Sequence, residues 1–353
     1  NQTDTYKLRV WIDQDADNGV MGTIFSGKVR VDATQSKPPA ANLKAIDKTQ
    51  TISSIVFQVV NDTPTNTSNT NNKAKIKKLD NKKDAEVVKV ASMKSQAAAS
   101  YDVSVEQDKS VMQYNVLNED GTTYTAYIEA NKKIVAPEDS SGLLSGSSIT
   151  SITGLENLDT SQVVSMRNFF SHIQVNILDV SSLNTSNVTD MSSMFYSASI
   201  PSIDMSMLDV SNVLSMASMF ASSNIPSINL SGLDASKVTT MNQMFSYSSS
   251  SSIDVSNLNA SNVENMGMMF YQTGNLNTIN LSNFNTAKAT DMSHMFAYSG
   301  ISSIDLSTLN TSNVTNMFDM FGYDTNLESL DFSDLDVSKV TNAEILINGS
   351  GIK

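Results

Sequence analysis

Between Phe170 and Phe321 the hydrophobic positions of this chain recur with a fixed period. Phe closes a unit at Phe170, Phe195, Phe220, Phe245, Phe270, Phe296 and Phe321, at intervals of 25 residues with a single 26, and a degenerate eighth copy ends at Ile347. In the copy running from Ile203 to Phe220, Ile203 and Met205 alternate with polar residues, the period of a strand with one buried face. Val213, Met216, Met219 and Phe220 follow at offsets 0, 3, 6 and 7, which is one face of a two-turn helix. Ser211 sits where an N-cap of that helix belongs, in a column with Ser161, Ser186, Ser236, Ser261, Ser312 and Ser338 that Ala287 interrupts. Each 25-residue unit thus predicts a short strand, a turn and a short helix. Such units cannot bury their apolar faces alone, so the array predicts an α/β repeat solenoid with a parallel sheet, each coil held by its neighbours.

Two Met columns run through the array, one from Met166 to Met317 and one from Met194 to Met320, with Ala343 and Leu346 in their places in the last copy. Thioethers can ligate copper or sense oxidants. The spacing is also what a buried face requires, and flexible Met fills irregular cores well.

The polar columns carry the functional clue. Asp179, Asp204, Asn229, Asp254, Asn280, Asp305 and Asp331 form one, with Ser181, Ser206, Ser231, Ser256, Ser282, Ser307 and Ser333 two residues on. Strand alternation puts both opposite the core. Stacked carboxylates repel by about 1 kcal/mol per pair in water before screening. The stripe is either a ligand-binding face for cations, sugars or a basic partner, or a solvated ladder that supports the sheet.

Ahead of the repeats, strand patterns predict an antiparallel β-rich region. Tyr6–Ile12 alternates apolar and polar residues, with residues 23–31 as its partner, and another strand covers residues 52–60. Between the first two, Asp13, Asp15 and Asp17 begin like a calcium loop, but Gly19 is one place late and Ile24 stands where a bidentate Glu belongs. The segment is either a weak Ca²⁺ site or a solvated hairpin loop. Residues 61–72 lack apolar side chains, and Lys73, Lys75, Lys77, Lys78, Lys82 and Lys83 follow, a solvated run or a contact for an acidic partner. Asn118–Gly121 marks a hairpin between two alternating runs. The expected division is a β-rich module over 1–60, a polar and Lys-rich linker over 61–100, a β-hairpin cap over 101–150 and the solenoid over 151–353.

From Leu155 onward 5 Lys or Arg face 18 Asp or Glu, so the repeats carry the whole formal charge of −13. That field repels nucleic acid and anionic bilayers. The absence of Cys excludes thiol chemistry and disulfides and is compatible with export. No run of 18 apolar residues is present to span a membrane. The chain starts at Asn1, not Met, so the lack of a signal peptide says nothing about export. The two histidines, His172 and His294, are far apart in sequence, and no phosphate loop or metal-binding His cluster occurs, which argues against an enzyme and a bound cofactor.

The phrases LNTSNVTDMSSMF (183–195) and LNTSNVTNMFDMF (309–321), with the lead-in from residue 136 to residue 163, resemble the BspA-like repeats of bacterial surface proteins, also found in mycoplasma lipoproteins. The resemblance covers roughly residues 130–347. It implies a leucine-rich-repeat-like solenoid on an exported protein concerned with adhesion, at the cell surface or secreted. Residues 1–35 are similar to the closing strands of camelysin/TasA-type fibre subunits, which implies a β-sandwich module able to exchange strands. Two functions follow as expectations. One is an adhesin-type module binding a protein or glycan on another cell or matrix; the other is a structural subunit of a filament or surface layer that self-assembles through its N-terminal strands.

Overall fold

The computed structural model describes residues 41–59, 96–105, 107 and 110–352. The chain divides between Pro39 and Ala40, and every described residue lies in the second unit. The expected Tyr6–Ile12 strand and its partner, the carboxylates Asp13, Asp15 and Asp17, the 61–72 stretch and the Lys73–Lys83 cluster lie outside the described residues.

Eight short strands precede the first strand of the repeats: β1 (Ala41–Asn42), β2 (Ile52–Val59), β3 (Ala97–Asp102), β4 (Val111–Leu117), β5 (Tyr124–Ala130), β6 (Ile134–Val135), β7 (Ser151–Thr153) and β8 (Leu158–Asp159). Five of them form one sheet in the order β3-β4-β5-β2-β7. It is antiparallel from β3 to β5 and parallel from β5 through β2 to β7, so the region is mixed rather than antiparallel throughout. No tight turn joins β2 to β5, since β3 and β4 intervene, and a parallel pairing is open to them. The pairing also joins the described part of the 1–60 segment to the 101–150 segment in one sheet.

The hairpin between β4 and β5 turns at Gly121 (φ 68), with Asp120 Oδ1 accepting from the amides of Thr122 and Thr123 at 2.8 Å each. Gly154 (φ 77) lies against β2, where an added Cβ would stand 2.0 Å from the Phe57 carbonyl oxygen. Buried Gln113 and Asn115 tie β4 to the loop between β1 and β2. Gln113 Oε1 accepts from Asp47 N (2.7 Å), its Nε2 donates to Asp47 O (2.6 Å), and Asn115 Nδ2 donates to Gln50 Oε1 (2.8 Å).

The repeats stack in register. Parallel bridges run Ser165, Asp190, Ser215, Thr240, Asn265, Asp291, Asn316, Asn342, one per coil. The strand segments are three residues long, with β9 (Ser202–Asp204) beside β10 (Ser227–Asn229) and β11 (Ser252–Asp254) beside β12 (Thr278–Asn280). In the core, the Phe170-to-Phe321 rings form one pile with neighbouring centroids 5.4–5.6 Å apart and planes within 15°. The Met columns are buried throughout, from Met166 to Met320. An extra residue between Phe270 and Ile279 is absorbed in a connector closed by Leu276 N donating to Thr273 O (2.8 Å), so the Phe pile stays in register.

The expected helix is not what the Val-Met-Met-Phe segment forms. Among the described residues the one helical element is a 3-10 turn at Leu155–Asn157. Amides along the segment alternate between two destinations. Met194, Tyr196 and Ala198 donate to the carbonyls of Met191, Ser193 and Phe195, three residues back. Met191, Ser193, Phe195 and Ser197 donate instead to Ser215, Ala217, Met219 and Ala221 of the next coil, at 2.8–3.0 Å. An α-helix needs every amide to reach four residues back. Each coil also places two residues in the left-handed region, as at Ser193 (φ 57) and Ser197 (φ 53), which breaks a helix. Successive tight turns meet the offsets 0, 3, 6 and 7 as well as a helix does.

Candidate interaction surfaces

All seven residues of the Asp/Asn column, Asp179, Asp204, Asn229, Asp254, Asn280, Asp305 and Asp331, are exposed, one per coil on one face. Each closes a turn, its Oδ1 accepting from the amide of the Ser two residues on at 2.9–3.1 Å. Asx turns of this kind explain why only Asp and Asn stand there. Hydroxyl and amide bonds from Ser181 and Ser307 hold Asp179 and Asp305 below the usual carboxylate range. At Asp204 and Asp331 the amide leads, with the same result. Burial works against the shift at Asp254, and the bonds from Ser256 prevail. Asn229 Nδ2 donates to Asp204 Oδ1 at 2.9 Å, so an interspersed amide bridges adjacent coils. The column is at once a structural ladder and an ionised surface row.

The Ser column is not a set of helix N-caps. Its amides donate to an Asp or Asn two residues earlier, as Ser211 N does to Asp209 Oδ1 at 3.0 Å. Ala287 is tolerated because only its amide is needed, donating to Asn285 Oδ1 at 3.0 Å. Beside this column a row of Asn and Lys links coil to coil. Asn212 Nδ2 donates to Ser186 O (2.7 Å), and Lys237, Lys288 and Lys339 donate to Asn212, Asn262 and Asn313 Oδ1 at 2.5–2.6 Å.

A second surface was not legible as a column. Tyr residues fall one or two places after the core Phe, at Tyr196, Tyr247, Tyr271, Tyr298 and Tyr323, and the stacking brings four of them together. Tyr271 meets Tyr247 and Tyr298 edge to face, with centroids 5.5 and 5.8 Å away. Tyr298 stacks on Tyr323 at 4.6 Å. His294 lies between Tyr271 (5.9 Å) and Phe318 (5.1 Å). Tyr247, Tyr298 and Tyr323 are 52, 40 and 43 % exposed. The signal in the sequence was present but split between two offsets, so no single column showed it.

Two carboxyls, Asp319 and Asp324, are buried in the same part of the stack. Asp319 Oδ2 is 3.1 Å from His294 Nδ1, and Asp324 Oδ1 accepts from Ser299 N (2.6 Å) and Oγ (2.9 Å). Asp319 Oδ1 and Asp324 Oδ2 are buried without a partner among the described residues. Burial pushes the Asp324 carboxyl up to about 7. His172 is exposed, with its ring 5.4 Å from Tyr196, so the two histidines serve different places in the stack. Between β7 and the first coil a groove of about 770 Å³ is lined by Ser151–Thr153, Glu156, Ile177 and Asp179. Among the described residues no three His, Asp or Glu side chains are grouped to hold a metal ion. No helix there is long and apolar enough to cross a membrane.

Stacked coils bearing regular surface ladders define a repeat protein built around an extended surface. Residues 141–254, 224–301 and 280–351 match the family described as "Mycoplasma protein of unknown function, DUF285". The matches together span more than half of the chain, and the chain belongs to this family. No curated protein and no solved structure matches it.

Proposed function

We propose that this chain is a non-catalytic, exported bacterial surface protein of the BspA-like type, a leucine-rich-repeat-like solenoid acting as an adhesin-type module. Its ligand is a protein or glycan on another cell or matrix, held on the acidic face. The observation that supports this reading is the row from Asp179 to Asp331, exposed in each coil, with five carboxyls held below their ordinary range. Fixed turns present these charges at a repeating interval, which lowers the ordering cost of binding.

The turn chemistry supplies a clean test. Asn229 and Asn280 already close the same turn, so Asp204→Asn/Asp254→Asn/Asp305→Asn removes charge while keeping structure. Immobilised glycans and matrix proteins are screened with the wild-type chain and this variant. The reading expects a bound partner that the variant loses, with melting temperature unchanged. Equal binding by both proteins would overturn the role of this face. Ordered fibres of the purified chain in electron micrographs would favour the filament subunit instead.

A further inference from the structure

The aromatic cluster lies at a different point of each coil from the acidic row, and its inference stands independently of that row. Tyr247, Tyr271, Tyr298 and Tyr323 connect through ring contacts of 4.6–5.8 Å across four coils. Exposed contiguous aromatic surface of this kind marks interaction sites on soluble proteins. Tyr brings a large, stiff contact area at low entropic cost, and is enriched at interface cores.

Charge decides the partner. The stack carries −13, and its lysines at 237, 288 and 339 are held at the Asn column. Asp319 Oδ2 lies 3.1 Å from His294 Nδ1, and the His294 ring contacts Tyr271, so an acidic side chain adjoins the aromatic cluster. Phenol faces attract cations through their quadrupole, and a nearby carboxylate adds to that attraction. Among cationic groups the planar, weakly hydrated guanidinium stacks best on a ring. We propose that this aromatic face docks arginine side chains of a partner protein. An acidic partner is repelled, and a neutral one gains only the ring contacts.

The chain labelled with 3-fluorotyrosine is titrated with a capped Gly-Arg hexapeptide and followed by ¹⁹F NMR, with single Tyr→Phe variants assigning the signals. The citrulline version of the peptide matches its shape without the charge. The signals of Tyr247, Tyr298 and Tyr323 are expected to shift with the Arg peptide and not with the citrulline one. Tyr298→Leu/Tyr323→Leu should bind roughly five- to tenfold more weakly, two exposed cation–ring contacts being lost. Tyr298→Phe/Tyr323→Phe, which keeps both rings, should bind as the wild type does. Asp204→Asn/Asp254→Asn should move affinity far less than the Leu pair. Equal affinity of the Leu variant and the wild type would show attraction by net charge alone and overturn the proposal. Unmoved signals at these three residues would overturn it too.

Discussion

The two ends of the stack are built differently. At the first coil, the amides of Ser140, Gly142, Leu144 and Gly146 donate to the carbonyls of Ser165, Arg167, Phe169 and Ser171 at 2.8–3.0 Å. Leu143 and Leu144 are buried there, and Lys48 Nζ donates to Gly142 O (3.1 Å) and Ser145 O (2.6 Å). The same amide pattern passes down the stack until Met317, Asp319, Phe321 and Tyr323 donate to Asn342, Glu344, Leu346 and Asn348. In the last coil the corresponding residues are Ala343, Ile345, Ile347 and Gly349, and no coil lies beyond them among the described residues. Val337, Ile345 and Ile347 are 59, 46 and 40 % exposed, whereas their equivalents one coil earlier, Thr311, Asp319 and Phe321, are buried. Ile345 also sits at φ 52, a costly conformation for a β-branched residue. A coil is therefore as stable as the neighbours on its two sides, which is the nearest-neighbour behaviour of repeat arrays.

The difference between interior and end is open to attack by mutation. Phe245→Asp buries an unpaired carboxylate between stacked rings and is expected to cost several kcal/mol, unfolding neighbouring coils with it. Leu346→Asp, in the half-exposed last coil, should cost about 1 kcal/mol or less when both variants are unfolded in urea. Equal losses at the two sites would contradict the account.

A second effect depends on pH and belongs to the connector before the last coil. Asp324 has its folded value raised to about 7, above the ordinary carboxylate value. A group raised on folding takes up protons as the chain folds, so its contribution is fully present below about 4 and is lost as pH rises toward 7. Stability is expected to fall across that window by on the order of 4 kcal/mol at most, and the melting temperature with it. Asp324→Asn should flatten the slope. The lowered carboxyls of the acidic row act in the opposite sense, adding stability above their unfolded value that is lost on acidification. The variant isolates Asp324 from them.

The smallest effects test the caps and turns. Lys48→Ala removes the donor to Gly142 and Ser145 and should cost about 1 kcal/mol, felt by the first coil rather than the last. Asp254→Ala opens one turn and should cost a few tenths to about 1 kcal/mol, Asp254→Asn almost nothing, and Ser256→Ala almost nothing. Thermal melts of these variants check the order.

These contrasts also show what the sequence could and could not tell. The period, the Phe pile and the buried Met columns were legible because side-chain spacing reports directly on a repeated core. The backbone between them was not, because Val213, Met216, Met219 and Phe220 fit one helix face and two consecutive turns equally well. Ser211 resembled a cap through its hydroxyl, while the structure uses its amide and puts the acceptor on Asp209. The acidic row was placed on the correct face by strand alternation, but its turn-closing role needs the bond from Ser N to Oδ1. The aromatic cluster and the buried Asp319 and Asp324 arise from positions that vary between copies, where a repeat-based reading has no column to follow.

Native-state amide hydrogen exchange tests the directional stacking most directly, residue by residue along the chain. The account predicts strong protection at Met191, Phe195, Met216, Phe220, Met241 and Phe245, whose amides donate to the next coil. It predicts similar protection at Gly142 and Leu144 in the first cap, and fast exchange at Ala343, Ile345, Ile347 and Gly349. Protection that is as strong in the last coil as in the middle would contradict it.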